Sequence, residues 1–342
     1  MKFKHAAILA LAVAPAFALA QGLGVSPSSS VRYATDAYPG FDDEAHILPP
    51  EKKEPGLFSW WSGPKMDNPK DQLDWARECA ENGSWRKAKK AYDALVAEWP
   101  ASPEAPVAQE ELADLYFSKY NYWSDAFTEY RYLLDFYSGE CDYDKIAERM
   151  YETAKLMREE GKKILFFRIA NSTEVRRAFE AVVRRAPGAV FASDAMVQVA
   201  ELREEEGELD KAVEVYENIR NLFPGEEVSK KALMREAEVR MKILRKHSYN
   251  RPRAIDTSAF LRLALASNPG YREKAELERW LEEAVSVLEE DAYRSAKFYD
   301  SKTRTRESAI NAYEKFLIEY PASKYVGDVR DRLSALKEGK GK

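Results

Sequence analysis

The chain has 342 residues, 45% hydrophobic and 32% charged, and its 53 Lys and Arg against 58 Asp and Glu leave a net charge of −5. Such a composition belongs to a soluble chain with a real core, and it excludes a nucleic-acid partner, which needs a basic stripe. Two cysteines, Cys79 and Cys141, exclude a scaffold built from disulfides while leaving a single bridge between them open.

The first residues read as a secretory signal peptide. Lys2 and Lys4 supply the positive start, residues 6–16 the apolar stretch, and Ala18-Leu19-Ala20 the small-x-small cleavage site. The expectation is that residues 1–20 are removed and that the mature chain begins at Gln21 outside the cytoplasm. Removal takes away two lysines and no acid, moving the net charge from −5 to −7. The apolar stretch is short and interrupted by Pro15, a poor membrane span. Neither cysteine follows a lipobox, so no lipid anchor is expected.

Residues 21–69 read as a disordered linker, with Pro49-Pro50, Pro55-Gly56 and Gly63-Pro64 as breakers. Inside it, residues 57–61 form an apolar island containing Trp60 and Trp61. Such an island either docks on the chain's own helices or holds a partner or membrane surface.

From Asp71 onward the apolar residues recur at helical spacing. The first hairpin pairs Gln72–Glu81 with Trp85–Glu98, turning at Asn82-Gly83-Ser84, with Ser84 expected to cap the second helix. The second spans Pro103–Tyr137 with Asn121 in its turn. The third pairs Tyr143–Phe167 with Thr173–Ala186, Gly161 reading as an interruption. The fourth repeats the first around Gly207 and ends at Phe223-Pro224. The fifth has a long first helix, Glu226–Lys246, and ends at Pro269-Gly270. The sixth opens with Tyr271–Asp300 and closes at Tyr320-Pro321. A capping helix, Lys324–Leu336, and a disordered tail, residues 338–342, follow.

A phased pattern underlies these hairpins. The closing residues are Pro100, Ser138, Pro187, Pro224, Pro269 and Pro321; eight before them stand Tyr92, Tyr130, Phe179, Tyr216, Leu261 and Tyr313; twelve before stand Ala88, Ala126, Val175, Ala212, Thr257 and Ala309. A small residue lets two antiparallel helices approach, and a large one a turn later fills the space between successive hairpins. No hairpin buries both faces alone, so the units must stack. The fold class expected is all-α, a solenoid of about six helix hairpins over residues 70–337 plus a C-terminal capping helix. Cys79 falls at a core position of this pattern and reads as a buried thiol.

These Ala, aromatic and Pro positions resemble tetratricopeptide repeats. Ala296-Lys297-Phe298-Tyr299, Ser308-Ala309-Ile310, Tyr313 and Tyr320-Pro321-Ala322-Ser323 resemble the last repeat of the BamD family of outer-membrane protein assembly factors. The long helix after Asn268-Pro269-Gly270-Tyr271 and the opening Gly83-Ser84-Trp85 with Ala88 and Tyr92 are similar to that family too. The resemblance implies a periplasmic scaffold, peripheral to the outer membrane, that binds barrel-insertion machinery or unfolded outer-membrane proteins. Members of that family are usually lipoproteins, and this chain lacks the lipobox cysteine. A periplasmic tetratricopeptide adaptor coordinating envelope constriction or peptidoglycan synthesis is the alternative.

No catalytic constellation stands out, and no enzyme, metal or cofactor is expected. His5, His46 and His247 have no ligand spacing, there is no Gly-x-Ser-x-Gly elbow, and Gly161-Lys162-Lys163 lacks the rest of a phosphate loop. A helical-toroid enzyme would instead require an acid-lined cleft with a perturbed carboxylate. What remains is groove recognition by the first helices of the hairpins. The candidate partner-binding residues are Arg77, Glu81, Glu111, Lys119, Tyr120, Tyr122, Glu201 and Glu205, with Trp60 and Trp61 in the linker.

Overall fold

Asn68 opens the helical part of the chain by accepting the Asp71 amide on its side chain at 2.9 Å, with Pro69 in the first turn. The computed structural model describes residues 38–42, 63–163, 168–246, 250–267, 273–301 and 306–338, all inside one unit, Ala34–Lys342. Residues 1–20, read from the sequence as a signal peptide, and Trp60, Trp61, Pro269 and residues 339–342 lie outside the described residues.

Thirteen α-helices and no strands are found among the described residues. They are α1 (Pro69–Glu81), α2 (Trp85–Glu98), α3 (Glu104–Leu115), α4 (Trp123–Phe136), α5 (Tyr143–Lys163), α6 (Arg168–Arg185) and α7 (Ala192–Glu205). There follow α8 (Leu209–Leu222), α9 (Glu227–Lys246), α10 (Arg251–Ser267), α11 (Lys274–Asp300), α12 (Arg306–Glu319) and α13 (Val326–Lys337). Each helix packs on the one before and the one after, and α1 with α3, α7 with α9 and α9 with α11 touch across the hairpins. The fold is an all-α array of six helix hairpins closed by α13.

The phased residues explain the packing. All six aromatic or aliphatic positions are buried, and so are all six small-side positions twelve before the closing residue. Five second helices end two residues before Pro100, Ser138, Pro187, Pro224 and Pro321. At the four prolines, the ring and its constraint on the preceding residue stop the helix. The turns within hairpins one, two and four are made by Gly83, Asn121 and Gly207, all with positive φ.

Four of the large residues are tyrosines whose hydroxyls reach a carboxylate on a first helix. Tyr92 donates to Glu111 at 2.9 Å, Tyr216 to Glu204 at 2.8 Å, Tyr313 to Asp300 at 3.2 Å, and Tyr130 to Asp114. Burial, with the facing carboxylate, pushes these hydroxyls up, so they remain donors.

Several local expectations need correction. Ser84 occupies the N-cap position without a side-chain cap hydrogen bond. The helix of hairpin three continues through Gly161 to Lys163, and its partner starts at Arg168, before the expected Thr173. The end of α3 widens into a π-turn, Tyr116–Tyr120, before Asn121. Cys79 is buried on α1 as the pattern requires, and both cysteines are free.

The core is shared in series. One cluster runs from Leu73 to Ile243; a second joins α9, α10 and the first half of α11; a third joins the end of α11 with α12 and α13. Helix α9 belongs to two clusters because it carries two apolar stripes, Ala232-Val239-Ile243 and Leu233-Ala237-Met241-Leu244. Helix α11, about 40 Å long at 1.5 Å per residue, reaches from the second cluster at Leu277 to the third at Ala296.

Part of the stretch expected to be a disordered linker has a defined place. Residues 38–42 lie against α6, α7 and α8 in a cluster of charged side chains. Arg203 is 0% exposed and Glu180 1%, joined by Arg176, Arg184, Glu206, Glu208 and Lys211. Burial raises the Asp42 carboxyl, but Arg203, Lys211 and Arg176 outweigh it and hold Asp42 well below the ordinary range. Burial pushes Glu180 up, with Arg176 and Arg203 opposing.

Two predictions follow from this packing. Tyr216→Ala should lower stability by about 3–5 kcal/mol, as large aromatic truncations do, and Tyr216→Phe by only about 1 kcal/mol. Urea unfolding of both variants measures this, and equal losses would contradict a packed ring. Asp300, bound by Arg332 at 2.6 and 2.8 Å, is held below its ordinary value chiefly by that contact. Its contribution is therefore present above the unfolded value of about 3.9 and lost as pH falls through the depressed folded value. The melting temperature of Asp300→Asn should be lower at pH 7 and should fall less than that of the parent chain below pH 4; an unchanged acid slope would refute the assignment.

Candidate functional site

On α9, residues Glu227, Lys230, Lys231, Met234, Arg235, Glu238 and Arg245 recur at helical spacing and so share one side of the helix. That side faces α7 and α11 across an open groove of about 1200 Å³. Helix α7 contributes Val197 and Glu201; α11 and the residue before it contribute Glu273, Glu276, Arg279 and Trp280. Val197, Met234 and Trp280 are partly or fully buried and form an apolar floor.

The rim is charged and balanced. Lys230, Lys231, Arg235, Arg245 and Arg279 stand against Glu201, Glu227, Glu238, Glu273 and Glu276. Many already pair with one another or with the helix behind. Arg235 spans Glu204 at 2.9 Å and Glu238 at 2.7 Å, and Lys242 reaches Glu204 at 3.0 Å. Arg245 holds Glu283 at 2.7 Å across to α11. Glu204 thus gathers a tyrosine hydroxyl and two cations, locking α7, α8 and α9 together at the groove edge. A polyanion would meet five carboxylates here; a polypeptide with alternating polar groups meets donors and acceptors of both signs.

The residues expected from the sequence fall in separate places. Arg77 and Glu111 pair across α1 and α3 at 2.6 and 2.9 Å, with Glu111 also accepting from Tyr92. Glu81 is exposed at the end of α1. Lys119, Tyr120 and Tyr122 come together around the π-turn. Lys119 lies 5.2 Å from the Trp85 ring, Tyr120 and Tyr122 stack at 5.4 Å, and Tyr122 is 56% exposed. Glu201 and Glu205 both hold Arg158, at 2.9 and 3.2 Å, and of the eight expected residues that the structure describes only Glu201 lines the groove. The α9 and α11 residues were missed, although the recurrence of charge along Glu227–Glu238 is visible in the sequence.

The carboxyls that burial pushes up lie in helix packing and not in the groove. Glu236 sits between Arg220 and Arg240, which also flank the Phe260 ring at 5.4 and 4.7 Å. Glu129 faces Gln109, and Glu180 faces Arg176 and Arg203. Among the described residues, no group of three or more His, Cys, Asp or Glu is placed to hold a metal, and no helix is long and apolar enough to cross a membrane.

Comparison with known proteins agrees with this geometry over one hairpin. Residues 194–225, which are α7 and α8 with their turn, match the family model described as tetratricopeptide repeat. No curated protein matches the chain. Among solved structures, a tetratricopeptide repeat protein from Parabacteroides merdae ATCC 43184 is similar at 13% identity, covering 79% of this chain and 98% of that one, with a TM-score of 0.27. The chain's own helix pairing carries the fold assignment: it is an all-α array of helical hairpins, one of which, residues 194–225, matches the tetratricopeptide repeat.

Proposed function

We propose that this chain is a non-enzymatic periplasmic scaffold, resembling BamD, whose α7–α9–α11 groove holds partner polypeptides during β-barrel assembly at the outer membrane. The observation that carries the reading is the groove itself: an apolar floor at Met234 and Trp280 between charged rims of both signs, built from first helices of consecutive hairpins. Tetratricopeptide arrays mediate protein–protein contacts, and such a groove suits an extended segment that buries alternate apolar side chains while its polar groups meet the rim. The leader of residues 1–20 supports export, and the Ala296–Pro321 resemblance supports the barrel-assembly role over an envelope-constriction adaptor. The partners are the barrel-insertion machinery or unfolded outer-membrane proteins, bound without a cofactor.

Depletion should lower the amount of folded outer-membrane barrels, and a photoreactive residue at exposed Lys231 should crosslink to a barrel-insertion component or a nascent barrel protein. The same residue at Val190, which is fully exposed and outside the groove, should not. Normal barrel levels, together with capture of cell-wall enzymes at Lys231, would favour the adaptor and overturn this reading.

A further inference from the structure

The segment Tyr38–Asp42 is held on α6, α7 and α8 in the manner of a bound peptide. Tyr38 and Phe41 close a turn, with the Phe41 amide donating to the Tyr38 carbonyl at 3.1 Å. Pro39 and Gly40 fill the two central positions, and Gly40 has φ +82°, the type II pattern. The tip is pressed against α8: a Cβ on Gly40 would lie 2.6 Å from the Lys211 carbonyl oxygen and 2.7 Å from Val215 Cγ2. Only glycine fits that conformation in that space. The Tyr38 and Phe41 rings stack at 5.2 Å, and the Arg184 guanidinium lies 5.4 Å from the Phe41 ring.

Asp42 is read at every polar atom. Its amide donates to Glu180 at 3.3 Å, and its carbonyl accepts from Arg184. Its carboxylate accepts from Arg176 at 2.9 Å, Arg203 at 2.9 Å and Lys211 at 3.1 Å. On the array side, the cations Arg176, Arg184, Arg203 and Lys211 face the acids Glu180, Glu206 and Glu208. With residues 38–42 seated, Arg176, Arg184 and Arg203 are buried beside only Glu180 and Glu206, Lys211 and Glu208 lying part-exposed at the edge, and Asp42 supplies the third acid. A helix surface with no ligand of its own has no reason to bury an uncompensated cation.

We infer that this face is a second peptide-recognition site, a socket for the class aromatic–Pro–Gly–aromatic–Asp, with the chain's own residues 38–42 as its resident occupant. It is distinct from the α7–α9–α11 groove: its contacts come from α6, the inner end of α7 and α8, and none of its residues lines the groove. A segment on the same chain as its socket meets it at an effective concentration well above that of a free peptide. A peptide of the same class in trans therefore binds only when the resident segment is withdrawn.

The test uses the full chain and a fluorescent peptide of residues 36–44. Gly40→Val introduces a side chain that the Lys211 carbonyl and Val215 exclude, and Asp42→Lys on the chain removes the balancing charge; each should free the socket. By anisotropy, the peptide should bind either variant at least tenfold more tightly than the parent chain. The gain should vanish when the peptide carries Asp42→Asn, or when Lys211→Glu is added to the chain. Lys211 is 42% exposed, so that change leaves the helix packing intact. Circular dichroism checks that each variant keeps its helices. Equal peptide binding by the parent chain and both variants, or binding indifferent to Asp42, would overturn the inference. The Met234→Gln groove variant should bind the peptide as its background does, which separates failure of the socket from failure of the groove.

Discussion

A small side chain on the second helix, alanine in four of the six hairpins, is the constraint on which the rest of the molecule depends. Ala88, Ala126, Ala212 and Ala309 are fully buried where second helix meets first. With nothing larger between them, the two backbones approach closely enough for the residue one turn later to reach a facing first helix, its own hairpin's at Tyr130, Tyr216 and Tyr313 and the next hairpin's at Tyr92. That residue is a tyrosine in four units, and its length does two jobs. The ring fills the space between helices, and the hydroxyl emerges on the first-helix side to meet a carboxylate. Packing inside and polar organisation outside are thus set by one pair of positions per repeat.

Around that frame, buried and half-buried charges join each unit to the one that follows. Asp135 and Arg185 pair at 2.8 Å between α4 and α6; Glu236 draws Arg220 of α8 and Arg240 of α9 onto Phe260 of α10; Asp300 and Arg332 tie α11 to α13. Asp135 and Asp300 are each gripped at both oxygens by one guanidinium, and Glu236 shares its two oxygens between two, which directs orientation as well as charge. Removing one partner would strand the other, so these pairs specify how one unit sits on the next more than they add net stability. The result is a chain of local interfaces, with α9 as a two-faced joint and α11 as the long strut that carries the last hairpin.

Much of this was legible in the sequence. The Ala–aromatic–Pro phasing placed all six hairpins, and its six small and six large positions are all buried, while the closing residues lie at the surface or half-buried among those described. Helix ends were legible at prolines and at Gly83 and Gly207, where backbone geometry allows few residues. They were misjudged in hairpin three, where Val175 stands in place of the alanine and no sequence signal marks the start of α6 at Arg168. The groove was only half visible. Glu201 was found because it follows the first-helix pattern of a well-formed repeat, whereas α9 carries two apolar stripes and its third, polar side is hard to tell from an ordinary solvated face. The Tyr38–Asp42 seat was not legible at all. Pro39-Gly40 announces a turn, but its partners Arg176, Arg184 and Arg203 stand far along the chain and read alone as surface charges.

Two surfaces lie along one array: a first-helix groove with an apolar floor, and a charge-lined seat filled from within. Both depend on hairpins that nest in series and share their core only with neighbours. Native-state hydrogen exchange on an Ala212→Leu chain tests that dependence most directly, because the larger side chain forces α7 and α8 apart at their crossing. The account predicts a loss of protection in α7 and α8, a smaller loss in α6 and α9, and near-parental protection in α12 and α13. Loss confined to α8, or spread evenly from α1 to α13, would contradict it.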